Sequence, residues 1–253
     1  MKLDKLSQDD FEQASKRLVR SLTRGKTTSS QPKAILLGGQ SGAGKTTIHR
    51  IKQREFQGNI IVIDGDSYRS FHPNYLTLQE KYGKDSVNYT KVFAGQMVEY
   101  LVDELSKQGY HLLIEGTLRT TEVPRKTAQL LTARGYQVSL ALIATKPELS
   151  YLSTLIRYEE LYAIDPSQAR ATPKTHHDGI VGHLVGNLRE LEKEELFRQI
   201  QIYQRDQSCV YDSQVDEISA AEVLHECLFG KWNTVEKEML KVGQERLREL
   251  GDN

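Results

Sequence analysis

Residues Gly39-Gln40-Ser41-Gly42-Ala43-Gly44-Lys45-Thr46 fit the pattern G-x-x-x-x-G-K-[ST], and they stand between an apolar run and a helix-like stretch. The run Ala34-Ile35-Leu36-Leu37 is short, branched and followed by two glycines, which reads as a buried parallel strand. From Gly44 to about Phe56 the pattern reads as a helix. A loop at the carboxyl end of a strand and the amino end of a helix gathers unpaired N–H groups and the positive end of the helix dipole, a setting that favours an anion. The glycines let the backbone curl so that successive N–H groups face phosphate oxygens, Lys45 brings a charge for the β- and γ-phosphates, and Thr46 offers a hydroxyl to Mg²⁺. Gly39, Gln40, Ser41, Gly42, Ala43, Gly44, Lys45, Thr46 and Thr47 are therefore the expected nucleotide contacts. The rival dinucleotide fingerprint G-x-G-x-x-G fails, because Thr47 takes the last glycine position after Gly42 and Gly44.

Further strand-and-helix alternation follows. Asn59 to Asp66 is an apolar run ending in carboxylates, His111 to Gly116 and Gln137 to Ala144 are two more strand patterns, and Ser208 to Tyr211 is a candidate fifth strand. Helices are expected at about Ser86 to Lys107, Glu122 to Arg134, Pro147 to Tyr162 and His176 to Arg205. The fold class is thus α/β: a P-loop, nucleotide-kinase-like parallel sheet of about five strands with helices on both faces. At the amino end, Ser7-Gln8-Asp9-Asp10 resembles a capping box, and Phe11, Ala14, Leu18 and Leu22 make a helical stripe that would dock on the sheet. Residues 25–31 read as a linker. At the carboxyl end, Trp232, Val235, Met239 and Val242 form one stripe of a charged surface helix, and we expect that stripe to pack on the domain. One domain over 1–253 is expected, with residues 1–31 as docking helix and linker and 231–253 as a terminal helix.

In open α/β sheets ligands bind beyond the carboxyl ends of the strands, which gives weight to Asp64-Gly65-Asp66-Ser67-Tyr68-Arg69 and Glu115-Gly116-Thr117. Phosphoryl transfer to a hydroxyl calls for a carboxylate within reach of that hydroxyl, and Asp66 is the candidate, with Gly65 permitting the turn. Asp64, closer to the strand body, suits support of the loop, and the competing role for either aspartate is a cap on the helix beginning near Ser67. Glu115 suits a place beside magnesium or the acceptor, or a cap; Thr117 suits an acceptor contact, or a structural turn. Arg157 and Arg170 flank Asp165-Pro166 in a segment that could fold over the triphosphate as a lid and neutralise transferring charge, or lie as surface arginines. His176-His177-Asp178 looks metal-like, yet adjacent histidines need not converge on one ion.

The order of Gly39 to Thr46, Asp64-Gly65-Asp66, Glu99, Glu115-Gly116-Thr117, Arg157 and Arg170 resembles that of the zeta toxins over nearly the whole chain. The resemblance implies a toxin kinase that uses ATP and Mg²⁺ to phosphorylate the 3′-hydroxyl of the amino sugar in UDP-N-acetylglucosamine, blocking cell-wall precursor synthesis. It implies Lys45 on the β- and γ-phosphates, Thr46 on Mg²⁺, Asp66 as base, Arg157 and Arg170 on the transferring charge, and Glu99, Glu115 and Thr117 on the sugar nucleotide, which Asp66 also touches. It further implies an antitoxin whose helical segment blocks the nucleotide site, in an assembly of two toxins and two antitoxins. Taken without the resemblance, the same residues suit a metabolite, nucleoside or nucleic-acid-end kinase, or a non-catalytic triphosphate switch; the absence of N-K-x-D weakens the GTPase form of the latter.

Composition excludes other classes. Lys plus Arg equals Asp plus Glu at 34 each, so the bulk positive field of a non-specific nucleic-acid binder is missing. Two cysteines, Cys209 and Cys227, form no C-x-x-C pair. The segment Met1 to Arg24 is too charged for a secretory signal and no run approaches a membrane span, so a cytoplasmic location is expected.

Overall fold

The computed structural model describes residue 4, residues 6–166 and residues 169–251, so the first three residues and the last two of the expected terminal segments lie outside it. Along the chain run α1 (Gln8–Thr23), β1 (Lys33–Gly38), α2 (Thr46–Glu55), β2 (Ile61–Ile63), α3 (Gly65–Tyr68), α4 (Tyr75–Tyr82), α5 (Val87–Lys107), β3 (Leu112–Glu115), α6 (Glu122–Ala133), β4 (Gln137–Ile143), α7 (Pro147–Ile164), α8 (Lys174–Lys193), β5 (Gln199–Tyr203), β6 (Cys209–Asp212), α9 (Ala220–Phe229) and α10 (Thr234–Gly251). They build one sheet of order β2-β3-β1-β4-β5-β6.

β1 is the hinge of this topology. It pairs in parallel with β3 through Ala34↔Leu112 and with β4 through Ala34↔Val138, so the chain winds outward from it in both directions. The connections leaving adjacent strands part at its carboxyl end and open a crevice there, where the phosphate loop begins. Alternation along β1 divides the core. Ala34 and Leu36 pack with Met97, Leu101 and Leu105 of α5 and Leu184 and Leu188 of α8; Ile35 and Leu37 pack with Ile48 of α2 on the opposite face. Helices therefore cover both faces, as a buried parallel sheet requires.

The amino-terminal expectation is met. Ser7 Oγ accepts from the Asp10 N–H at 3.1 Å and donates to Asp10 Oδ2 at 2.7 Å, while Ala14 and Leu18 are buried on the sheet. Four expectations need correction. The helix expected from His176 to Arg205 ends at Lys193; Glu195 takes φ 50°, and Gln199-Ile200-Gln201-Ile202-Tyr203 becomes a strand that buries Ile200 and Ile202. The sheet consequently has six strands, and the run ending at Tyr211 is its antiparallel sixth, paired through Ile202↔Tyr211. The second strand is only Ile61–Ile63, because Asp64 leaves the sheet to cap α3. At the carboxyl end the packed stripe is Leu240, Gly243, Leu247 and Leu250 instead of Val235, Met239 and Val242, which are exposed. Gly243 decides this: a Cβ there would stand 2.7 Å from Leu152 Cδ2, so its bare backbone admits close approach to α7.

Candidate active site

The phosphate loop keeps its shape through backbone that only glycine adopts easily. Gly39, Gly42 and Gly44 have φ of 143°, 73° and 102°, and a Cβ on Gly42 would stand 2.0 Å from the Ser150 carbonyl oxygen. The Gln40 side chain is buried away from the crevice, donating to the Thr145 carbonyl at 2.8 Å and to Ser150 Oγ at 3.1 Å. What Gln40 offers a ligand is its main chain. Lys45 Nζ lies over the loop, donating to the carbonyls of Gly39 at 3.0 Å and Gln40 at 3.3 Å, and it stands 3.6 Å from Glu115 Oε1. Thr46 is exposed at the first position of α2; the Thr47 N–H is already committed to the Gly44 carbonyl at 2.8 Å.

β3 delivers Glu115 to the same place, since it lies beside β1 and the Gly116 N–H donates to the Leu37 carbonyl at 2.8 Å. Glu115 caps no helix. Its Oε2 is 2.8 Å from Nε2 of His49, one turn into α2, a partner that no sequence pattern singled out. Beyond Glu115 opens a cavity of about 760 Å³ between α5, β3 and α6, walled by Glu99, Glu115, Thr117 and apolar side chains such as Val98 and Leu118. Three of the four expected acceptor contacts thus share one cavity, and Asp66 is not part of its lining.

Asp66 approaches from the neighbouring strand end. The capping role belongs to Asp64, whose Oδ1 accepts from the Asp66 N–H at 3.0 Å and whose Oδ2 accepts from Ser67 Oγ at 2.6 Å. Asp66 is thereby released, its side chain largely open to solvent and 2.8 Å from Arg69 Nε. Gly65 holds this turn close to α5: a Cβ there would stand 3.1 Å from Val98 Cγ2, one residue before Glu99. Partial desolvation pushes the Asp66 carboxyl up, but the Arg69 hydrogen bond and charge, with the charges of Arg170 and Arg157, outweigh it and hold the group below its ordinary value of 3.8. Both expected lid arginines therefore act on the expected base. Arg170 Nη1 donates to the Asp66 carbonyl at 3.3 Å, and Nη2 to the Tyr75 hydroxyl, with the guanidinium over the Tyr75 ring. Residues 167 and 168, between the two arginines, lie outside the described residues.

Tyr75 and His49 carry no sequence signal because each meets a motif residue at a distance set by folding, while Arg69 stands in the strand-end segment Asp64 to Arg69 without a role assigned to it there. Arg69 alone had a local signal, three residues after Asp66 at helical spacing. The His176-His177-Asp178 run gathers no metal cluster among the described residues; His177 is buried, 2.8 Å from Ser150 Oγ.

A family profile described as Zeta toxin matches residues 18–216. The chain belongs to the zeta toxin family. This zeta toxin is 69% identical over 250 residues to Toxin PezT of Streptococcus pneumoniae serotype 4, with 99% of each chain covered. It is 44% identical over 207 residues to Toxin zeta of Streptococcus pyogenes, covering 81% of this chain and 72% of that one. Among solved structures, one from the PezAT chromosomal toxin-antitoxin system of Streptococcus pneumoniae matches with TM-score 0.94 at 68% identity, covering 99% of this chain and all of the other. The AvrRxo1-ORF1:-ORF2 structure with ATP matches with TM-score 0.60 at 14% identity, over 96% of this chain and 82% of that one, a likeness of fold. This zeta toxin is accordingly an ATP-using toxin kinase, and zeta toxins phosphorylate UDP-N-acetylglucosamine. No helix among the described residues is long and apolar enough to cross a membrane.

Proposed function

We propose that this zeta toxin transfers the γ-phosphoryl group of ATP to the 3′-hydroxyl of the amino sugar of UDP-N-acetylglucosamine, with Asp66 as the proton acceptor. The observation that carries this reading is the pull of Arg69, Arg170 and Arg157 on Asp66, which keeps a carboxylate ionised in a turn packed beside the Glu99-bearing helix. The acceptor hydroxyl oxygen attacks the γ-phosphorus, the bond from that phosphorus to the β–γ bridging oxygen breaks, ADP leaves, and the hydroxyl proton passes to Asp66. Lys45 holds the β- and γ-phosphates, and Arg157 and Arg170 offset charge on the moving group. Glu99, Glu115 and Thr117 orient the sugar nucleotide in their shared cavity. The exposed Thr46 hydroxyl and the nearby Glu115 carboxylate are hard oxygen donors that suit Mg²⁺, with Thr46 as its protein ligand. With Mg²⁺ held there, the site would gain a positive charge to offset the negative charge that develops on the phosphates.

The chain acts as one kinase domain in the cytoplasm, and the phosphorylated product blocks cell-wall precursor synthesis. Its partner is an antitoxin whose helical segment covers the nucleotide site, in an assembly of two toxins and two antitoxins; the toxin-antitoxin description of the PezAT structure supports a partner of this kind. Purified protein with ATP and Mg²⁺ should phosphorylate UDP-N-acetylglucosamine in an acceptor panel. Phosphate appearing only on nucleosides or DNA ends would sink the acceptor assignment, and a co-expressed complex with another mass in light scattering would sink the stoichiometry.

A further inference from the structure

Arg205 stands in the turn between β5 and β6, outside every motif of the sequence, yet its side chain reaches the phosphate loop. Nε donates to the Ala43 carbonyl at 3.1 Å, and Nη2 donates to the Gly42 carbonyl and, at 3.0 Å, to Ser153 Oγ on α7. The Ala43 carbonyl takes a second hydrogen bond, at 2.8 Å, from Thr145 Oγ1 at the end of β4. The stem of Arg205 runs beside Gly44, whose missing Cβ would stand 3.4 Å from Arg205 Cγ. Its acceptors are all neutral oxygens, and among the described residues no carboxylate forms an ion pair with it. Burial pushes this guanidinium below the ordinary arginine value, because desolvation works against its charge.

Among the described residues no peptide bond is cis, and in a trans peptide the C=O and the following N–H point in opposite directions. A donor that fixes the Gly42 and Ala43 carbonyls therefore also fixes the N–H groups of Ala43 and Gly44, turning them away from the guanidinium. The Ala43 N–H is directed across the loop to the Gln40 carbonyl at 3.2 Å. The Gly44 N–H is aimed away from Arg205 in the same manner. A glycine-rich loop is otherwise free to rotate these peptide planes; rotation of the Gly42–Ala43 plane would break the internal bond to Gln40, and rotation of the Ala43–Gly44 plane would swap the Gly44 donor for a carbonyl that repels the phosphates.

We propose that Arg205 is a positioning residue for ATP: by clamping the Gly42 and Ala43 carbonyls from outside, it presets the peptide planes of the phosphate loop for the triphosphate. The fork of the guanidinium is what matters, since one side chain must reach two successive carbonyls and Ser153 at once. Lysine, a single point donor, keeps the charge and loses that geometry. The assignment rests on the nucleotide half of the function above and is independent of the acceptor.

The test is calorimetric titration of the full chain with ATP and Mg²⁺ for the wild type, Arg205→Lys and Arg205→Met, with thermal unfolding of each. Both substitutions should raise the Kd for ATP about tenfold, the order expected for losing a charge-assisted hydrogen bond, while the KM for the sugar nucleotide stays within about twofold. Wild-type ATP affinity in Arg205→Lys overturns the positioning role, and so does a parallel rise in the acceptor KM. Should Arg205→Met fail to fold, Arg205→Lys decides the question alone. The acceptor KM comes from separate steady-state rates; because the calorimetric titration contains no acceptor, a wrong acceptor assignment leaves the ATP Kd result intact.

Discussion

Arg170 and Asp66 are joined through the backbone: a guanidinium nitrogen of Arg170 donates to the main-chain carbonyl of Asp66 at 3.3 Å, while the Tyr75 hydroxyl holds another nitrogen of the same group. The arginine that would offset transferring charge and the carboxylate that would take the proton thus share one anchor. Arg170→Met should lower kcat by roughly 10²–10³, the cost of one preorganised donor to a developing charge. Tyr75→Phe removes a single hydrogen bond to Arg170 and should cost about fivefold. Steady-state rates at saturating ATP check both, and a Tyr75→Phe loss as large as that of Arg170→Met would mean the tyrosine itself touches substrate.

Asp66→Ala should reduce transfer by about 10²–10⁴ while ATP still binds, since a base acts on the acceptor proton. Its pH behaviour follows from the surrounding arginines. The folded carboxyl lies below 3.8, so Asp66 stays ionised above that value and adds no acid limb to kcat/KM near neutrality. Arg69→Met removes the hydrogen bond at 2.8 Å and a nearby charge, which raises the carboxyl value and moves the acid limb to higher pH. The same sign governs stability: the Asp66–Arg69 contribution is present above the unfolded carboxyl value and fades as pH falls through the folded one. A limb that moves to lower pH in Arg69→Met would contradict the assignment.

His49 stands 2.8 Å from Glu115 and has no counterpart in the sequence motifs. His49→Gln should raise the acceptor KM by about 3–10-fold, through a less firmly placed Glu115, and leave ATP affinity unchanged. Separate KM values for the two substrates decide this, and a rise confined to ATP would place His49 with the phosphate loop instead.

Two glycine substitutions should act in opposite directions. Gly42→Ala sets a Cβ 2.0 Å from the Ser150 carbonyl at φ 73°, so it should cost at least about 1–2 kcal/mol from conformation alone, before the clash. Gly182→Ala, in the interior of α8 with open space around it, should stabilise by about 0.5–1 kcal/mol. Chemical denaturation measures both, and a neutral Gly42→Ala would require the loop to adopt another backbone path.

The legible parts of the fold were those with a strong local pattern. β1, β3, β4, α1 and α5 fall close to where apolar runs, caps and helical stripes indicate. β5 was hidden because Gln199-Ile200-Gln201-Ile202-Tyr203 follows a charged helix with no glycine or proline between, and the chain turns at Glu195 through a backbone conformation uncommon outside glycine. The carboxyl-terminal stripe misled for a related reason. Larger apolar residues suggested one face, whereas close approach at Gly243 selected another.

The phosphate loop, the strand-end carboxylates Asp66 and Glu115, and Arg157 and Arg170 beside the Asp165-Pro166 turn stand out as candidates by residue type and position, whereas Glu99 enters only through the zeta toxin resemblance. What the sequence left open was which aspartate caps α3, and the tertiary structure resolves it: Asp64 takes the cap and Asp66 faces Arg69 and Arg170. The partners His49, Tyr75 and Arg205 also required tertiary structure. Their distances to Glu115, Arg170 and the loop carbonyls are set by how α2, α4 and the β5–β6 turn meet at the end of β1, and such meetings depend on packing across the chain, which no local spacing records.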